Sequence, residues 1–270
     1  MSAAEGVDKP KRGARPFRHI RRGARRWGRY LGARLGLLPP LAEFGYMICA
    51  TPRSGSNYLC ELLTSTGQLG NPAEYFNTVA RRNHVDPRYP RSRSAQIDIV
   101  RSEGATPNGL YAVKILPIQY CRVRKKLDLF RALPNLRVVR LRRRDLLGQA
   151  LSLARARQTG QILASNRAKA EPIYDVQDIR ACIDALRMRE AIWDQVMLER
   201  GLQPLTFIYE DVMRNPQAAV DQVAALMGLA AQVAIDPALI RVRMQRDGKT
   251  DLWRERFLAD TGEEFRSLAD

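Results

Sequence analysis

The sequence predicts an α/β chain, a central parallel sheet flanked by helices, with a polar glycine-containing loop where the first strand hands over to a helix. Three observations lead there. Short apolar runs at 46–50, 110–115, 136–142 and 204–209 alternate with helical segments at 57–66, 145–158, 178–200 and 216–227. The first run is apolar without alternation, as expected of a strand covered on both faces. Between it and the next helix lies Thr51-Pro-Arg-Ser-Gly-Ser-Asn57, a loop of small, polar and basic residues.

Composition sets the frame. With 270 residues, 45% of them hydrophobic, and only 18 Gly and 15 Pro, the chain is neither a disordered tail nor a low-complexity fibre. One domain at 41–270 behind a basic leader at 1–40 is the economical organisation. No run approaches 18 apolar residues and the first residues lack the apolar core of a secretory signal, so neither a membrane span nor export is expected and the chain is placed in the cytoplasm. The four cysteines, Cys49, Cys60, Cys121 and Cys182, have no paired short spacing, and His19 and His84 are the only histidines. A metal site is therefore not expected, and all four cysteines read as small buried hydrophobes.

The elements follow in chain order. The net charge is +17, and residues 1–40 hold +9 of it. Within this leader Ile20, Ala24, Trp27, Leu31, Leu35 and Leu38 recur at helical spacing, arginines fill the other face, and Pro39-Pro40 ends the pattern. A basic amphipathic helix of this kind suits an anionic membrane surface. A solvated leader, nucleic-acid binding and an organellar transit segment use the same residue types, so the leader alone does not decide function.

Tyr46 to Ala50 is the first strand, and Tyr58 to Leu63 continues as a helix with Gly67 at its end. Strand, tight loop and helix together aim backbone N–H groups and a helix dipole at a phosphate. Gly55 permits close approach, Ser54, Ser56 and Asn57 supply polar groups, and Arg53 supplies a positive charge. Ser56 stands after Gly55 in place of the Lys of a nucleotide-triphosphatase loop, that loop's first Gly is missing, and the cation comes before the Gly, which favours a phosphate group held without a metal. Residues 77–105, polar and rich in arginine, read as an acceptor-side loop region. The strand at 136–142 runs into Arg142, Arg143 and Arg144, and Asp145 caps the following helix, with Ser152 two turns on. Arginines at a strand end and a serine in the next helix suit a second anionic group. Positions 159–177 are irregular and read as a lid or subunit contact. Glu210 and Asp211, after the last strand, suit a helix N-terminus and read as structural.

Taken together these residues resemble the sulfotransferases that use 3′-phosphoadenosine-5′-phosphosulfate, most closely the bacterial trehalose 2-sulfotransferase family. The likeness runs from about Tyr46 to Thr261 and leaves the leader outside. Ala50-Thr-Pro-Arg-Ser-Gly-Ser-Asn57 is similar to the 5′-phosphosulfate loop, and Gly70-Asn-Pro-Ala-Glu-Tyr-Phe76 to the family's G-x-P-x-E-[FY]-F segment. Thr106 to Lys114, Arg143-Arg-Asp-x-x-x-Gln-Ala-x-Ser152, Tyr209-Glu-Asp-Val and Gln245 to Trp253 follow in the family's order.

The resemblance implies the sulfotransferase fold, with its P-loop-like sheet, and a carbohydrate sulfotransferase acting by in-line displacement. It implies that Arg53, Ser54, Gly55, Ser56 and Asn57 hold the 5′-phosphosulfate, and that Arg143 and Ser152, with Arg246 or Lys249, hold the 3′-phosphate. Lys114 takes the place of a lysine that stabilises the departing oxygen, and Glu74 that of the general base. Asn71, Tyr75 and Phe76 fall in the acceptor segment, where the two aromatic residues either stack on a sugar ring or belong to the core. The residue before the loop arginine, polar in the trehalose enzymes and part of their sugar site, is Pro52 here, a departure that bears on trehalose and not on the donor. The expected partners are a carbohydrate or glycolipid acceptor, a peripheral contact with the inner membrane surface through the leader, and a second copy of the chain, with no nucleic acid. An ATP-dependent small-molecule kinase and a non-enzymatic basic module binding membranes or nucleic acid are the competing readings.

Overall fold

In the computed structural model residues 40–160, 170–229, 233–242 and 248–262 are described. The leader helix and Arg246 lie outside them.

Four parallel strands, β1 (Phe44–Ala50), β2 (Leu110–Ile115), β3 (Leu136–Arg142) and β4 (Leu205–Ile208), form one sheet in the order β2-β1-β3-β4. β1 pairs with β2 through Phe44 to Cys49 and with β3 through Gly45 to Ala50, so it is central and almost wholly buried. Alternation along the strands divides the interior. Met47, Cys49, Tyr111, Val113 and Ile115 face one apolar layer; Tyr46, Ile48, Ala50, Leu110 and Ala112 face the other. The period of two also puts Lys114 on the second face, where its ammonium is carried at the carboxyl end of β2.

The expected strands and helices at these places are all present. α1 (Ser56–Ser65) follows β1; α6 (Leu146–Thr159) follows β3; α7 (Val176–Arg200) precedes β4. After β4 come α8 (Tyr209–Arg214) and α9 (Pro216–Leu226), and α10 (Gly248–Thr261) ends the described chain. Asp145 caps α6 by accepting from the Gly148 amide at 2.7 Å, and Gly67 stands beyond α1 with φ 65°. A third apolar cluster lies among α6, α7 and α10, with Leu147, Leu151, Ile179, Ile183, Trp253 and Phe257 at its centre.

Residues 77–105 depart from the expected loop. They contain α2 (Thr78–His84) and α3 (Arg93–Glu103). α2 buries none of its residues, and the buried face of α3 includes Gln96, fully enclosed and hydrogen bonded to the Thr78 hydroxyl and the Pro90 carbonyl. α4 (Pro117–Arg124) and α5 (Leu129–Ala132) complete the β2–β3 connection. Cys49, Cys60 and Cys182 are buried as expected, whereas Cys121 on α4 is only half-buried. No helix among the described residues is long and apolar enough to cross a membrane.

β1 crosses over to β2 on one side, and β3 to β4 on the other. The chain therefore reverses its direction of travel between the neighbours β1 and β3, and in open α/β sheets the crevice at that point, beyond the carboxyl ends of the strands, is where ligands bind.

Candidate active site

Two groups of side chains converge at this crevice, one around the loop between β1 and α1 and one at the end of β2. In the loop, Arg53 and Gly55 both take left-handed backbone angles, φ 62° and 84°. Gly55 is required for a second reason, since a Cβ there would lie 2.1 Å from the Tyr209 ring. No side chain caps α1, so the amides of its first turn point at the crevice without a capping oxygen. Ser56 is buried in that turn. The Ser54 hydroxyl donates to the Thr51 carbonyl at 2.8 Å, which makes it a brace of the loop and not a group turned to the crevice as expected.

The end of β3 closes on the same loop. Of the three consecutive arginines, Arg143 turns inward: its Nη1 donates to the Arg53 carbonyl at 3.1 Å and its guanidinium lies 5.2 Å from the Tyr209 ring centre. Its buried Nε makes no hydrogen bond but lies 3.8 Å from Glu210 Oε1, and its Nη2 lies 3.6 Å from Asp145 Oδ2. Arg142 approaches Glu190 at 3.5 Å, and Arg144 pairs with Asp211 at 3.0 Å. Arg53 Nε donates to Ser152 Oγ at 2.8 Å, so Ser152 and the loop arginine do meet. Arg155, one turn beyond Ser152, donates to the Thr250 hydroxyl at 2.5 Å and so ties α6 to α10. Burial, followed by the like charges of Arg143 and Arg155, lowers the pKa of the Arg53 guanidinium. Three cations thus share one part of the crevice, an arrangement that suits an anion.

At the end of β2, Lys114 Nζ donates to Asn57 Oδ1 at 2.5 Å and lies 2.9 Å from Glu74 Oε1. The second Glu74 oxygen accepts from Gln119 Nε2 at 2.5 Å and Asn77 Nδ2 at 2.9 Å. Burial alone would raise the Glu74 pKa. The charge of Lys114 opposes it, and with hydrogen bonds from Asn77, Lys114 and Gln119 the carboxyl is held below its ordinary value. A carboxylate ionised at neutral pH and a cation therefore stand together beside the first turn of α1.

Gln119, Asn77, Gln149 and Tyr209 are site residues that sequence reasoning passed over. Gln119 carried a signal: its Oε1 accepts from the Leu116 amide at 3.2 Å, the N-terminal box of a helix that begins three residues after Lys114. Gln149 sits within the Gln-Ala-x-Ser motif itself and donates to the Pro52 carbonyl at 2.7 Å.

The structure departs from expectation at the acceptor side, and the segment expected as a closing loop runs from Gly248 as helix α10. Tyr75 and Phe76 are each 3% exposed in the core under the sheet, so neither ring offers a face to a sugar. The Asn71 amide donates to the carbonyls of Glu103 and Ala105, binding this segment to the α3–β2 turn. Lys249 pairs with Glu171 at the surface. Glu210 is structural as expected, accepting from the backbone amides of Arg144 and Asp145 at 3.0 and 3.2 Å.

The family model described as Stf0 sulphotransferase matches residues 45–260. The chain is similar to the trehalose 2-sulfotransferase of Mycobacterium tuberculosis, at 28% identity over 256 residues, and to that of Mycolicibacterium smegmatis, at 27% over 259 residues. Each comparison covers 80% of this chain and 94% of the relative. Among solved structures, the sulfotransferase domain from the curacin biosynthetic pathway is 14% identical with a TM-score of 0.42, over 84% of this chain and 99% of that one.

Proposed function

The chain belongs to the Stf0 sulphotransferase family, and we propose that it moves a sulfuryl group from 3′-phosphoadenosine-5′-phosphosulfate to a hydroxyl of a carbohydrate or glycolipid acceptor. One observation carries the reading: the Lys114 ammonium touches both Asn57, in the first turn of α1, and the Glu74 carboxylate. A cation for a departing phosphate oxygen and a base for an arriving hydroxyl therefore meet at the mouth of an anion-binding loop.

The donor supplies an SO3 unit on a phosphate oxygen. Transfer breaks that sulfur–oxygen bond, forms one from the acceptor oxygen to sulfur, and releases the acceptor proton. Glu74, ionised at neutral pH, takes the proton. Lys114 sets positive charge where the departing oxygen becomes negative. The first-turn amides of α1 and Arg53 hold the 5′ end, and Arg143 with Ser152 takes the 3′-phosphate. The protein's work is positioning and electrostatics, as in phosphoryl transfer.

Two relatives bearing the name trehalose 2-sulfotransferase support a sugar acceptor. The +9 leader supports one presented at an anionic membrane surface.

A thermal-shift series tests the reading. Adenosine 3′,5′-bisphosphate without metal raises the melting temperature, since a ligand at 100 times its Kd adds about 2.7 kcal/mol to the folded state. ATP with magnesium and duplex DNA leave it unchanged. A shift with ATP and magnesium alone assigns a kinase; a response confined to DNA leaves a basic binding module.

A further inference from the structure

One stretch of α7, from Glu190 to Asp194, grips the end of β1 and the residue that follows it. Trp193 Nε1 donates to the Ala50 carbonyl at 3.1 Å, in full burial. Glu190 Oε1 accepts from the Thr51 hydroxyl at 2.9 Å, and Glu190 Oε2 accepts from Arg140 Nη2 at 2.8 Å. Asp194 takes the other end of the same guanidinium, Nη1, at 2.6 Å. From α6, Gln149 Nε2 donates to Thr51 Oγ1 at 2.9 Å and to the Pro52 carbonyl at 2.7 Å.

The direction of these bonds is determined. Gln149 donates to Thr51 Oγ1, so the single proton of that hydroxyl goes to Glu190. Thr51 is fully buried, and the next two residues are Pro52 and Arg53, whose φ of 62° is costly for a residue with a Cβ. Such a conformation persists only where its surroundings hold it. The backbone just before Arg53 is held by Glu190 and Gln149, and the backbone just after it by Ser54 reaching back to the Thr51 carbonyl.

We infer that Glu190 is a positioning residue for the anion-binding loop, acting through the Thr51 hydroxyl to keep Arg53 in its left-handed conformation at the crevice. A carboxylate so near a site for anions is otherwise a liability. Here Arg140 and Arg142, 2.8 and 3.5 Å away, neutralise it, which leaves it a hydrogen-bond acceptor. The proposed donor is used only as a ligand probe; the loop's conformation is a separate readout.

A double-mutant cycle isolates the bond. Adenosine 3′,5′-bisphosphate affinity is measured calorimetrically for Glu190→Ala, Thr51→Val and the double variant, with Thr51→Ser as the rescue. Each single change weakens binding about tenfold, the double variant also about tenfold, and Thr51→Ser less than twofold, because both deletions remove the same hydrogen bond to a charged group. Asp194→Asn, which disturbs Arg140 but not Thr51, lowers the melting temperature and leaves affinity within twofold. Additive losses near a hundredfold, or an Asp194→Asn loss equal to that of Glu190→Ala, overturn the inference. Crystal structures of unliganded Thr51→Val and Glu190→Ala decide it independently of the ligand: Arg53 leaves positive φ in both, and an unchanged Arg53 in both refutes the role. If the wild-type chain does not bind the bisphosphate, the donor reading falls and the crystal structures alone judge Glu190.

Discussion

In the proposed reaction Lys114 and Glu74 serve opposite ends, and they are bonded to each other at 2.9 Å. The pair sets the protonation state of the base. The Glu74 pKa is depressed because Lys114 and three hydrogen bonds outweigh burial. A group depressed on folding gives up its stabilising contribution as pH falls through its folded pKa, so activity that needs the carboxylate holds at neutral pH and fails only in acid, below the ordinary Glu value near 4.3. Lys114→Met removes the largest opposing influence, and burial then raises the Glu74 titration. Carbon-detected NMR of the Glu74 carboxyl, compared with the wild type, reads this directly; an unmoved or lowered midpoint contradicts it. Glu74→Gln keeps the shape and the contact with Lys114 but cannot accept a proton. Turnover falls by about 10²–10⁴, the usual contribution of a positioned base, while adenosine 3′,5′-bisphosphate affinity stays within about threefold.

At the scale of elements, the strands and helices α1, α6, α7 and α9 were legible because each buries an apolar run or face whose period survives in the sequence, whereas α10 was read as a closing loop. α2 and α3 were not legible. α2 has no buried residue and so no period to read, and α3 places Gln96 at the centre of its buried face, where a polar letter looks like surface. Tyr75 and Phe76 were open to two readings, a sugar platform beside Glu74 or core, and the backbone turns them under the sheet into the core. That Arg53 meets Ser152 and Lys114 meets Glu74 involves residues whose motifs are local and could be singled out in the sequence. Glu190 could not, since it lies 139 residues from Thr51 in the chain. The β1–α1 turn supplies the test at this scale. Gly55→Ala must carry φ 84° and drive a methyl into the Tyr209 ring. The left-handed angle alone costs about 1–2 kcal/mol, and the clash adds to it. Gly55→Ala with Tyr209→Ala relieves the clash but not the angle, so denaturant unfolding places the double variant below wild type while calorimetry finds adenosine 3′,5′-bisphosphate binding at least about tenfold weaker in both. Equal affinity in Gly55→Ala shows that the turn's conformation is not what the anion reads.

Across the whole molecule, the sheet positions the two strand ends but does not close the crevice by itself. The third apolar cluster lies outside the sheet and docks α10 on α6 and α7. Trp253, 6% exposed and packed edge-on against Tyr174 at 5.8 Å, and Phe257, fully buried, anchor α10. Arg254 adds a 2.6 Å bond to Asp145, the cap of α6. Thr250, one turn before Arg254, receives the Arg155 hydrogen bond and so brings the end of α10 to the three cations of the crevice. If the three cations hold the proposed donor, one helix couples folding to binding. Trp253→Ala empties a buried aromatic site and costs about 3–5 kcal/mol of stability. It also loosens the hold of α10 on Arg155, so among molecules still folded the bisphosphate binds about tenfold more weakly. Thr250→Val separates the two effects: it leaves the aromatic anchor in place, changes stability by less than about 1.5 kcal/mol, and weakens binding to a similar extent. Denaturant unfolding and calorimetry on the two variants decide between roles. If Trp253→Ala lowers stability while both variants keep wild-type affinity, α10 stabilises the fold without shaping the anion site.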